Sequence, residues 1–159
     1  MEYKDKILEA YIGTPSKVQW YKEAFESFDH RDKSLSWYWN SWAMLGGFWF
    51  FLYRKQMKIA LIILFVAILL GAILPLSIFI ALYILSSLLI GGYATNILYN
   101  DYKNHKQDIE KMFADEEKRV GVMSIVAGVN SVALYAGVFA FISLVLIFVG
   151  LYMMSGVVK

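Results

Sequence analysis

Cysteine is absent from this sequence and proline nearly so: 159 residues contain no Cys, two Pro and two His. Without Cys there is no disulfide framework, no thiolate metal ligand and no thiol nucleophile. Charge is also scarce, at 18% of residues against about 25% in typical soluble domains. Hydrophobic residues reach 59% and the mean hydropathy is +0.53. The net charge of +2 comes from 15 basic and 13 acidic residues, too small and too mixed a surplus for nucleic acid, which needs a basic face. The length suits one domain, and the composition points to one embedded in lipid.

Where charge is missing matters more than how much is missing, because a charge at the bilayer centre costs about 2.5–3.5 kcal/mol or more. No charged residue occurs in 34–53, 59–100 or 120–158, blocks of 20, 42 and 39 residues. A helix needs about 20 apolar residues to cross roughly 30 Å of hydrocarbon. The second block is two crossings long, and Pro75 at its midpoint removes a backbone donor and pushes Leu74 out of helical geometry. This predicts a transmembrane hairpin of about 57–71 and about 76–99. Arg54, Lys55 and Lys58 precede it and Lys103 and Lys106 follow it, so both ends belong in the cytoplasm.

The first block holds nine aromatic residues, among them Trp37, Trp39, Trp42, Trp49 and Tyr53, and is interrupted by Gly46-Gly47. Trp and Tyr favour the headgroup level, so these five, with Arg54 and Lys55 at the anionic headgroups, are expected to be membrane-interface anchors. An interfacial helix or a re-entrant loop keeps the N-terminal segment cytoplasmic, and a plain crossing is the alternative. The third block makes either two short crossings with a turn near Ala136-Gly137, which is slightly preferred, or one long crossing after an interfacial helix. The fold class is therefore all-α: a polytopic membrane protein with a cytoplasmic helical segment over 1–35, the aromatic segment, hairpin and helical connector over 36–119, and a membrane region over 120–159.

In the N-terminal segment Thr14-Pro15 is a plausible helix start, and Val18, Tyr21, Phe25 and Phe28 recur on one helical face. Packing within the chain, lying on headgroups and docking a partner protein are all open to that face. In the connector, Lys106 with Glu110 and Lys111 with Asp115 are spaced for i,i+4 pairs. Chemistry is otherwise sparse. Both histidines sit in charged segments, and no Asp, Glu, Lys or Arg lies inside a crossing to run a proton relay or a transport site. No catalytic, cofactor or metal residues are assigned. Ser87, Gly91 and Thr95, spaced by four, make a flat face for helix packing, as do Gly128 and Gly137 with their small neighbours. Contact with an oligomer partner and packing within the chain are both compatible with such faces.

One stretch is more distinctive. Tyr21-Lys22, Phe25 and Phe28 precede Ser36-Trp37-Tyr38-Trp39-Asn40-Ser41-Trp42-Ala43, then Gly46-Gly47-Phe48-Trp49-Phe50-Phe51-Leu52-Tyr53-Arg54-Lys55. This resembles the bacterial family catalogued as domain of unknown function 2628, and the likeness continues through Gly91-Gly92-Tyr93-Ala94-Thr95-Asn96. The order Trp-Asn-Ser-Trp-Ala, and Gly47 where the family often has Pro, are departures. The resemblance implies a small bacterial inner-membrane protein and no particular activity. The expected role is a non-enzymatic accessory or scaffold subunit with a protein partner or second copy. Lipid handling is the alternative, and a small oligomeric channel ranks below both.

Overall fold

In the computed structural model, which describes residues 2–30 and 35–154, every regular element is helical. Helix α1 (Tyr3–Ile12) turns Ile7, Leu8, Tyr11 and Ile12 inward and stops at Gly13, whose φ of 62° admits the left-handed cap and whose N–H bonds the Glu9 carbonyl. A 3₁₀ turn at Pro15–Lys17 leads into α2 (Val18–Asp29). Thr14 precedes that turn without a side-chain capping bond, so the helix expected to start at Thr14-Pro15 is this turn followed by α2.

The aromatic block crosses nothing as one helix. It runs extended to Asn40, which caps α3 (Ser41–Gly46) by accepting from the Ala43 N–H, then breaks at Gly47 and resumes as α4 (Phe48–Tyr53). Six-residue helices are far too short to span hydrocarbon, so the plain-crossing alternative is set aside. Helices α5 (Met57–Ile73) and α6 (Leu76–Met112) form the hairpin, with Leu74 extended before Pro75 as the proline requires. Helix α6 is continuous from the hairpin into the connector.

Helices α7 (Glu116–Val126), capped by Asp115, and α8 (Ser131–Met154), capped by Asn130 through the Ala133 N–H, are the last elements among the described residues. Because α8 runs unbroken through Ala136-Gly137, the preferred turn there is corrected: the third block is one short helix and one long one. Lys106 does pair with Glu110, at 3.8 Å. Lys111 instead faces Asp108 at 4.0 Å, because α6 ends before Asp115, which serves α7.

Two regions of opposite character result. The charged half of the chain is a helical cap built from α1, α2, α7 and the second half of α6 around a buried aromatic core. There Tyr11 meets Tyr102 at 5.2 Å between ring centres, and Phe25 meets Tyr99 at 5.3 Å and Tyr102 at 5.5 Å. Each such pair adds about 0.5–1.5 kcal/mol beyond area burial. The other region, α5, the first half of α6 and α8, leaves large apolar side chains such as Phe65, Leu76 and Phe139 open. Two stretches, Leu76–Met112 and Glu116–Ala140, are long and apolar enough to cross a membrane, although the second is interrupted between α7 and α8.

Candidate functional site

The root of the apolar region is a junction of three chain segments, around residues 11–13, 53–55 and 125–130, held by bonds to backbone carbonyls. The Gly128 N–H donates to the Tyr11 carbonyl at 2.9 Å, and the Asn130 N–H to the Tyr53 carbonyl at 2.7 Å. Lys55, itself at φ 59°, donates from Nζ to the Ile125 carbonyl at 2.9 Å. Gly128 has φ 86° and lies against Gly13, so its small size serves this turn and not a helix-packing face.

Arg54 lies at the centre of that junction. Expected at anionic headgroups, it is only 5% exposed. Its Nη1 donates to the Ile12 carbonyl at 2.7 Å, satisfying the open end of α1. Its guanidinium carbon stands 5.1 Å from the Tyr21 ring centre. The Nε N–H has no partner. No carboxylate among the described residues lies within ion-pair distance of it. Burial pushes the Tyr21 hydroxyl above its usual range while Arg54 pulls it down, so the phenol stays neutral at physiological pH and supplies no counter-charge. Leaving an ion buried without its counter-ion costs on the order of several kcal/mol.

Arg54 forms part of the wall of a cavity of about 580 Å³, within the range of ligand pockets. Trp20, Trp39, Trp42 and Trp49 supply apolar walls, Lys17 adds a second positive charge, and Leu134 of α8 brings the cavity to the apolar helices. No acidic residue lines it among those described. The site can hold an anion at Arg54 and an apolar body against indole faces.

The interface-anchor residues thus divide. Trp37, Trp39 and Trp42 are exposed, Trp42 most of all at 71%, whereas Trp49 and Tyr53 are partly buried in the cavity wall, and Arg54 and Lys55 each donate to an internal carbonyl.

The helix-packing face is covered by the chain's own aromatic segment. Tyr38 and Asn40 donate their N–H groups to the Gly92 and Gly91 carbonyls at 3.0 and 2.8 Å, and a methyl on Gly91 would press on Met44 at 2.9 Å. Thr95 is fully buried, Ser87 bonds back to the Tyr83 carbonyl, and Gly137 makes room for Trp49. The partner face is also turned inward: Tyr21, Phe25 and Phe28 are buried in the cap, and Val18 packs against its edge. That corrects its expected availability for docking, because the same apolar stripe is what closes the cap core.

Sequence reasoning missed the cavity as a unit. Lys17 and Trp20, both lining it, were not singled out, and only the aromatic density of the 34–53 block signalled it. No family model, no curated protein and no solved structure matches this chain.

Proposed function

We propose that this chain is a multi-pass inner-membrane protein that handles lipid, holding one anionic amphiphile in the Arg54 cavity at the cytoplasmic leaflet. One observation carries the reading: a buried arginine with no carboxylate partner among the described residues, in a Trp-walled cavity at the root of the apolar helices. Buried charges are ordinarily paired, and an anionic head entering beside α8 supplies the missing charge while its chain lies along apolar helix surface. The open apolar faces of α5, α6 and α8 support a membrane setting, and the segregation of charge supports a cytoplasmic cap. The resemblance to the domain of unknown function 2628 family agrees with a bacterial inner membrane and adds no activity.

The accessory-subunit reading survives on a different surface from the one first expected. Among the described residues α8 packs on α4 and on no other helix, which leaves most of its length for a membrane partner. Purification of the tagged chain from its native membrane in mild detergent, followed by mass spectrometry of proteins and lipids, separates the two. About one anionic lipid per chain supports lipid handling. A stoichiometric protein without lipid overturns it in favour of a subunit role.

A further inference from the structure

We infer that the cavity selects a lipid whose head is a phosphodiester with a net negative charge and uncharged hydroxyls, and discriminates against heads that carry an amine. This deepens the lipid-handling reading and rests on it. The guanidinium is held in two places, one N–H on the Ile12 carbonyl and one face beside the Tyr21 ring. The N–H left without a partner is Nε, and covalent geometry places Nε and Nη2 along one edge of the plane. That edge is the fork that meets two oxygens of a phosphate or carboxylate side-on. The site therefore keeps one buried guanidinium donor, the Nε N–H on that edge, unpartnered beside the cavity and suited to an oxyanion.

The rest of the lining decides what the oxyanion is attached to. The described lining residues include two cations, Arg54 and Lys17, and no carboxylate. An ammonium or quaternary ammonium head meets like charge there and finds no acid to pair with. The Thr14, Ser16 and Ser41 hydroxyls offer donors and acceptors that suit an alcohol-bearing head. The Trp walls favour an attached hydrocarbon over a free phosphate ester.

The test uses the full chain in non-ionic detergent. It is mixed with dioleoyl phosphatidylglycerol, phosphatidylethanolamine or phosphatidylcholine at equal concentration, or with glycerol 3-phosphate alone, and retention is read by native mass spectrometry. Phosphatidylglycerol is expected to be held at one per chain with a preference of about tenfold over either amine-bearing lipid, and glycerol 3-phosphate is expected to be lost. Equal retention of the three lipids overturns the head-group selection and leaves lipid handling standing. Retention of none overturns both, and retention of glycerol 3-phosphate at comparable strength makes a free phosphate ester the ligand and overturns both as well. Arg54→Lys keeps the charge without the planar guanidinium and is expected to weaken retention of all three lipids, since each carries the phosphodiester. Because Arg54 also ties down α1, exposed Lys17 provides the second variant. Lys17→Glu is expected to keep the fold and cut the preference by about threefold or more, and an unchanged preference overturns the proposal.

Discussion

Trp37 lies flat enough on Gly92 that a methyl group there would sit 2.3 Å from the indole ring. The Tyr38 N–H pins the segment in place on the Gly92 carbonyl. A pair of glycines inside an apolar helix is thereby explained by another part of the same chain crossing over it.

Gly92→Ala is accordingly expected to destabilise the protein by about 1–3 kcal/mol, the usual range for overpacking. Gly121→Ala, where the added carbon meets nothing within 4 Å, is expected to be neutral or to stabilise α7 by up to about 1 kcal/mol. Thermal unfolding of both variants in one detergent compares them directly. Equal stability of the two would contradict the crossing.

Phe25 is 4% exposed and meets Tyr11, Tyr21, Tyr99 and Tyr102. Phe25→Ala is expected to cost about 3–5 kcal/mol and to loosen the cap as a whole. Urea unfolding followed by tyrosine fluorescence measures it. A variant as stable as the parent, and altered only in what co-purifies, would restore the face to a docking role.

Acid should weaken the contact between α1 and α2. Lys22 donates to Asp5 at 2.7 Å and holds the Asp5 carboxyl below its usual value of 3.8, while Asp5 raises the Lys22 ammonium. A depressed carboxyl contributes stability that is present above its unfolded pKa and lost as pH falls through its folded one. The raised ammonium contributes below its unfolded value of 10.5, and that contribution is lost as pH rises through its folded pKa. Unfolding midpoints of the parent and Asp5→Asn are expected to converge below the acid transition and to differ slightly between the two limits, since both groups are near the surface.

The absence of cysteine makes topology directly measurable. Ser77→Cys, beside the hairpin turn, and Met154→Cys, at the far end of α8, are expected to react with an impermeant maleimide from outside intact spheroplasts. Gly121→Cys is expected to react only after lysis. External labelling of Gly121→Cys would reverse the orientation proposed for the cap.

Much of the helical layout is legible along the chain because its causes are local. Pro75 forces the break that separates α5 from α6. The spacing of Tyr21, Phe25 and Phe28 marks the inner stripe of α2 correctly as a stripe, though nothing in the spacing says what covers it. Helix α1 is less visible, since Ile7, Leu8, Tyr11 and Ile12 alternate with charged residues over too few turns to stand out. The α8 reading turned on length alone, and 39 uncharged residues fit two short helices as well as one helix after a bend. Gly128 and Asn130, which end α7 and cap α8, settle it.

The sequence by itself determined that the protein is helical, that its charges gather at particular stretches and that its aromatic residues concentrate before Arg54. Composition and periodicity are properties of neighbours in the chain, and a helix answers to them directly. The tertiary structure alone decided that Arg54 reaches back 42 positions to the Ile12 carbonyl, that Trp37 covers Gly92, and that four tryptophans from separate elements wall one cavity with a buried cation. Those relationships join residues far apart in sequence, and a residue's own pattern carries no record of which distant backbone group it will satisfy. An interfacial anchor and a buried internal donor use the same arginine; only packing distinguishes them, by removing water from one side chain and leaving one of its N–H groups without a partner.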